Sequence, residues 1–295
     1  MKKSSSKVKI HTKFEKMEVE NSLFELTYKN EFAVWDLCRR SIFGEINRKL
    51  LNKPPQIFYE IKPFDKFKNI FKNIYNKSIL YLLKSKKAKT LVITFRRFKK
   101  KDRDYDFVID PIASKLSDCI YFDFINSSLI NFVFNKDAPI PSFKVIRHSI
   151  KDIDKISKYI DFCIFKSFKI SIKSEAIITY DLNAFFSGKM FFSEAITSLK
   201  CQNLIYSDNG ILKCLPYICK KKSIKTFEVQ HGGSPGSIMW TYPKKKKILL
   251  NKKNCYYSDY FLIWGKYWKK IYNTPSKFIV TGTFYHTKKF NHLDK

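Results

Sequence analysis

The chain has 295 residues, of which 44% are hydrophobic and 17% aromatic, with only 8 Gly and 10 Pro. That composition excludes a disordered or fibrous chain and allows one substantial core, or one core with a small second unit. Charge is the outlier: 57 Lys+Arg against 26 Asp+Glu leave a net +31, which points to nucleic acid, anionic headgroups or phosphate-bearing ligands. Codon usage is an equal explanation, because Lys is spread along the whole chain and is enriched together with Asn, Ile, Phe and Tyr. No stretch reaches the roughly 18 apolar residues of a membrane span, and Phe162–Ile172 is broken by Lys166 and Lys169. The basic start, Met1 to Ser6, has no apolar segment behind it and does not read as a signal peptide.

Residues 1–20 are polar and charged and are expected to fray as a flexible basic N-terminus. From Asn21 to about residue 85 the pattern is helical. Leu23, Phe24, Leu26, Val34, Trp35, Leu37, Cys38, Ile42 and Ile46 recur at three- and four-residue steps, up to Pro54-Pro55. Thr90 to Phe95 is short, apolar and β-branched, as a buried parallel strand would be. A highly charged loop, Arg96 to Asp106, follows; Phe107 to Leu116 reads as a helix start and Cys119 to Phe124 as a strand. Helical periodicity returns over Ile150 to Phe165 and Ala184 to Leu199. Strand-like Asn203 to Tyr206, helix-like Gly210 to Lys222 and strand-like Lys225 to Val229 then alternate tightly. Tyr260 to Ile263 and Lys277 to Val280 are two more strands, around a helix through Lys266 to Tyr272. This alternation predicts an α/β fold with a Rossmann-like parallel sheet flanked by helices, carried by residues 86–256.

Seven cysteines (Cys38, Cys119, Cys163, Cys201, Cys214, Cys219, Cys255) form no CxxC pair and no zinc-ligand spacing with histidine. They read as reduced core residues of a cytosolic protein. The feature richest in chemistry is Phe227-Glu228-Val229-Gln230-His231-Gly232-Gly233. In a parallel α/β sheet, functional residues gather at the carboxyl ends of strands, and His231 stands where the strand Lys225 to Val229 ends. A histidine followed by glycines suits acid/base work or a phosphate contact, or it is simply a polar residue in a chain reversal. Ser234, with the Gly232 and Gly233 backbone, can cradle a phosphate or a sugar. Glu228 alternates with Phe227 and Val229, so it faces either a cleft or solvent. Asp102-Arg103-Asp104 has D-x-D form, but it lies in a run of basic residues and reads as charge balance. No GxGxxG or Walker loop occurs, and no nucleophile elbow.

The block Asn203 to Pro243 resembles the centre of a group of bacterial glycosyltransferases of GT-B architecture, which act in capsule and lipopolysaccharide synthesis. The matching residues are Glu228, Gln230, His231 and Gly232 of an E-x-Q-H-G segment, followed by Tyr242-Pro243. Trp35-Asp36-Leu37-Cys38-Arg39 is similar to the group's W-x-x-x-R helix. Arg96, Arg97, Tyr105 and Asp110-Pro111 resemble its first strand and the loop after it, and Tyr260 to Gly265 and Ile279 to Gly282 look like the opening of its second domain. The resemblance implies transfer of a sugar from a nucleotide sugar to a glycan or lipid-linked acceptor, with no cofactor and no obligatory metal. It assigns His231, Glu228 and Asp110 as catalytic candidates. Gln230, Gly232, Gly233, Ser234, Arg96, Arg97 and Arg39 are its substrate-binding candidates, the arginines pairing with phosphate oxygens. It also makes residues 257–295 the start of a truncated second Rossmann-like domain, so that either the chain is a truncated or split gene product or a partner chain completes the donor side. The expected location is cytoplasmic, with peripheral contact on the inner face of the membrane. A basic nucleic-acid-binding protein, or a non-catalytic remnant, is the competing reading. No helix-turn-helix, zinc-finger or RNP signature supports a specific nucleic acid.

Overall fold

The computed structural model describes residues 2–54, 81, 84, 87–94, 98–100, 103–123, 137–139, 150, 152–207, 213–231 and 256–282. The first twenty residues, expected to fray, form helix α1 (Lys2–Glu20). An apolar stripe inside the charged stretch accounts for it: Phe14 and Met17 stand three residues apart and are both fully buried. A short 3-10 turn (Leu23–Glu25) and two two-residue strands, β1 (Thr27–Tyr28) and β2 (Phe32–Ala33), pair as a hairpin and lead into α2 (Val34–Leu50). Of the periodic apolar residues read from the sequence, Val34, Trp35, Leu37, Cys38, Ile42 and Ile46 line the buried side of α2, and Trp35 stacks on Phe14 at 5.7 Å.

One parallel sheet organises the rest. Its strands are β3 (Thr90–Thr94), β6 (Cys119–Asp123), β7 (Asp137–Pro139), β8 (Asn203–Ser207), β9 (Lys225–Val229), β10 (Tyr260–Ile263) and β11 (Lys277–Val280). They lie side by side in the order β11-β10-β9-β8-β3-β6-β7, and every neighbouring pair is parallel. Counted from β3, that is the 3-2-1-4-5-6 order of the Rossmann fold with a seventh strand added beyond the sixth. The direction of progression reverses between β3 and β8. Residues Arg96 to Asp106 were expected to be loop; their described part is a tight antiparallel hairpin, β4 (Phe98–Lys100) and β5 (Arg103–Tyr105), with Phe98 opposite Tyr105.

The helices divide between the two faces of the sheet. The crossover helix α3 (Asp110–Ala113) lies on one face, where Ile109 and Ala113 pack with Val92, Ile205, Val229 and Leu262. Helix α6 (Cys214–Lys221), which joins β8 to β9, lies on the other face with α2, α4 (Asp154–Phe168) and α5 (Ser174–Leu199). There Leu91, Ile93, Leu204 and Tyr206 meet the helices, and Phe32, Phe185, Tyr217 and Tyr256 form an aromatic cluster. Six of the seven cysteines are buried in these layers as free thiols; Cys255 lies outside the described residues.

The expected second domain from residue 257 is a correction. β10 pairs with β9, and β11 with β10, so both strands extend the first sheet. Two side-chain clips fix that pairing. Near the amino end the Asp259 carboxylate accepts from the Thr226 N–H (2.9 Å) and hydroxyl (2.8 Å), while the Asp259 N–H donates to Thr226 Oγ1 (2.8 Å). At the carboxyl end Gln230 Oε1 accepts from the Trp264 N–H at 2.9 Å. Helix α7 (Lys266–Ile271) then returns the chain to β11, with Trp268 packed among Phe261, Ile263 and Tyr272.

Candidate functional site

Side chains along a strand alternate between faces, and that parity sorts the sequence candidates. On β9, Thr226 and Glu228 point to the face covered by α6, while Phe227 and Val229 point to the face covered by α3. Glu228 therefore faces neither a cleft nor solvent. It is 2% exposed, level with Tyr206 on β8 and Phe261 on β10. The Ser258 hydroxyl donates to Glu228 Oε2 at 3.4 Å, and Ser276 stands 3.1 Å from Ser258. Gln230, expected to bind substrate, is fully buried and holds structure together. Its N–H donates to the Leu262 carbonyl (2.9 Å), and its carboxamide bonds the Trp264 N–H and the Tyr272 hydroxyl (3.4 Å).

Asp110 is similarly committed. Its Oδ2 accepts the Asp106 N–H at 2.8 Å, while Asp106 Oδ1 accepts the N–H groups of Val108 (2.9 Å) and Ile109 (3.1 Å). The two carboxylates build the turn that starts α3, a reciprocal use of acids to satisfy the orphan donors of a helix start. Asp106, from the charged loop that includes the D-x-D form, thus serves the backbone. Arg39, expected to pair with phosphate oxygens, is 2% exposed and pairs through both Nε and one terminal nitrogen with Glu18 on α1. Trp35 Nε1 donates to the same carboxylate at 2.8 Å. The W-x-x-x-R spacing places both residues on one side of α2, where they anchor α1. Arg96, Arg97, Gly232, Gly233, Ser234 and Tyr242-Pro243 lie outside the described residues.

His231 remains at the carboxyl edge of the sheet, two residues past the end of β9. It is half-buried and its Nδ1 atom is enclosed. Beside it run two residues that sequence reasoning passed over. Ser207 ends β8 and is level with Val229. Thr94 ends β3, one residue beyond the paired Ile93 and Tyr206. By alternation both hydroxyls point to the α3 face. Thr94 is fully buried, and its Oγ1 has no hydrogen-bond partner among the described residues. A buried hydroxyl without a partner is costly and commonly marks a place for a ligand or a bound water. β3 and β8 flank the point where strand order reverses, which is where ligands of doubly wound sheets bind. Their end residues carry no motif; only strand order, which needs tertiary pairing, reveals them.

A second polar group, missed for the same reason, lies between α2, α5 and the start of α6. Buried Lys213 donates to the Asp36 carbonyl, and the Tyr257 hydroxyl donates to the Asp36 carboxylate. Burial pushes the Asp36 carboxyl up and the Lys213 ammonium down from their ordinary values, each partly offset by the other's charge. On α5, Asp181 is pushed up to about 7 by burial, against the Ser41 hydroxyl and the charges of Lys213 and Arg40.

Comparison with family models, curated proteins and solved structures finds no match for this chain. Structurally it is a Rossmann-like α/β protein with a doubly wound parallel sheet.

Proposed function

We propose that the chain is a glycosyltransferase-type enzyme that moves a sugar from a nucleotide-activated donor onto a growing glycan, in capsule or lipopolysaccharide assembly. The observation that carries the reading is the position of the E-x-Q-H-G segment. Its histidine stands at the carboxyl edge of a Rossmann-ordered sheet, one strand from the switch point. In this reading the sheet is the acceptor-side half of a GT-B architecture, and a donor-side domain, in this chain or a partner, faces it. The acceptor hydroxyl oxygen bonds to the anomeric carbon while the bond from that carbon to the donor phosphate breaks. The nucleoside diphosphate leaves with the bonding electrons, and the hydroxyl proton passes to the His231 imidazole, the candidate base that stands at the carboxyl edge of the sheet. The chemistry assigned to the side chains needs no metal. The buried hydroxyl of Thr94, with Ser207, supplies donors at the neighbouring strand ends.

The test is a donor-hydrolysis and transfer assay on the full chain with a panel of nucleotide sugars. Turnover of at least one donor above the uncatalysed rate is expected. No turnover with any donor and acceptor pair, alone or with proteins of the same assembly, would remove the enzyme reading. The +31 charge carries the competing nucleic-acid reading; salt-sensitive binding of DNA or RNA near roughly 50 mM salt, without donor turnover, would favour it.

A further inference from the structure

Helix α4 (Asp154–Phe168) packs chiefly on α1 and α5. Its inner side is fully engaged: Ile160, Cys163, Ile164 and Phe168 join the main core. Its outer side should then be polar, as on an ordinary surface helix. It is not. Phe162 is 59% exposed, Phe165 55% and Tyr159 40%.

The arrangement around Phe162 is regular. Lys158 and Lys166 stand four residues to either side of it, and Lys155 and Lys169 seven to either side, all four exposed. Tyr159 and Phe165 stand three residues to either side. Steps of three, four and seven share one helical face, so three aromatic rings and three lysines occupy a single stripe, with Lys169 at the cap just past its end. Asp154 is the one exposed acid of the helix, at its first turn; Asp161 is half-buried and accepts the Ser174 N–H at 3.0 Å. The stripe is braced against the body of the protein. The Tyr159 hydroxyl donates to the Asn21 carbonyl at 3.0 Å, and the Lys169 ammonium lies 5.8 Å from the Phe165 ring centre. On α1, exposed Lys13 sits 5.5 Å over the Phe168 ring, while exposed Lys16 is paired with Glu20 at 3.6 Å.

We infer that the outer face of α4 is a docking surface for an anionic phospholipid bilayer. The charge matches acidic headgroups, and each lysine near such a surface adds attraction. Lysine stems lie along apolar surface while their ammonium groups reach the phosphates. Phe162 and Phe165 project between them to the depth where interfacial helices bury aromatic rings. No described helix is long and apolar enough to cross a membrane, so the contact is a face laid on the surface. Its basis is independent of the catalytic reading, and failure of either leaves the other standing.

The experiment is co-sedimentation of the full chain with vesicles of phosphatidylcholine alone and of phosphatidylcholine with about one-third phosphatidylglycerol. Wild type is expected to bind the anionic vesicles and not the zwitterionic ones. The F162A/F165A double variant should bind about tenfold or more weakly, and the K158E/K166E variant should lose binding by a similar factor. Because these side chains are exposed, both variants should melt within a few degrees of wild type. Absence of wild-type binding to anionic vesicles, or equal binding by the variants, would overturn the proposal. So would an effect of F162A/F165A confined to another partner: weaker binding of a single-stranded oligonucleotide, or a shift from dimer to monomer in light scattering, with vesicle binding unchanged.

Discussion

Two polar groups in this molecule are held in opposite ways. At the junction of α1 and α2, a carboxylate and a guanidinium are taken almost wholly out of water and matched: Glu18 receives Arg39 and Trp35 together. At the ends of β3 and β8, hydroxyls are buried in the sheet edge, and that of Thr94 has no matching group among the described residues. Burial of a charge is tolerable only when it is paired and hydrogen-bonded. A lone hydroxyl costs less and can wait for a ligand. The first arrangement therefore serves folding, and the second leaves chemistry available. Nearness to a recognisable motif does not separate the two kinds, since Arg39, Glu228 and Gln230 all lie in motifs yet are committed to packing.

The sharpest way to break this contrast is Glu18→Ala. It strands the Arg39 charge in the core and should cost about 3–5 kcal/mol in denaturant unfolding; a loss below about 1 kcal/mol would show that the guanidinium reaches water. Asp181 comes next, through pH. Its folded-state value is raised to about 7, above its ordinary 3.8, so the folded chain holds a proton that the unfolded chain has released. Ionising the buried group penalises the fold. That penalty is absent below about pH 4, grows as pH rises through 7 and is constant above. Melting temperatures of wild type and Asp181→Asn should therefore separate progressively from pH 4 to 8, the variant becoming relatively more stable. The difference is at most about 4 kcal/mol, and a fraction of that because the side chain is partly exposed. Parallel curves would mean that Asp181 is ionised without strain.

Gln230→Ala should cost about 1–3 kcal/mol, because the part-buried Trp264 N–H loses its acceptor, and should speed hydrogen exchange in β10 more than in β8. Unchanged exchange there would mean that the Thr226–Asp259 clip alone holds β10. The smallest effect is expected for Thr94→Val, which removes an unpartnered buried hydroxyl at nearly constant volume. Stability should change by less than about 0.5 kcal/mol or rise slightly, whereas a loss above about 1 kcal/mol would reveal a partner for Oγ1.

How far the sequence discloses this structure follows from the range of the interactions. β3, β8 and β9 are local runs of apolar and β-branched residues, and their boundaries in the structure lie within a residue of those read from sequence. β7 is Asp-Ala-Pro, three residues with no strand propensity, and forms only because β6 offers it an edge. Helix α1 was hidden because its stripe is only Ile10, Phe14 and Met17 among charges, and its stability comes from Trp35 and Arg39 on another helix. That β10 joins the first sheet depends on bonds spanning 33 and 34 residues, from Thr226 to Asp259 and from Gln230 to Trp264; no local pattern encodes that choice. The site divides the same way. His231 was visible through its glycines, but Thr94 and Ser207 become candidates only once strand order shows where the sheet reverses direction.

The central claim is that the carboxyl edge carries chemistry while the α1–α2 junction carries the fold. It is tested most directly by measuring nucleotide-sugar turnover and melting temperature on one preparation of His231→Ala. Turnover should fall about 10²- to 10⁴-fold, as loss of a general base does, with a destabilisation well below the roughly 3–5 kcal/mol expected of Glu18→Ala. Wild-type turnover, or a destabilisation comparable with that of Glu18→Ala, would make His231 a packing residue and contradict the assignment.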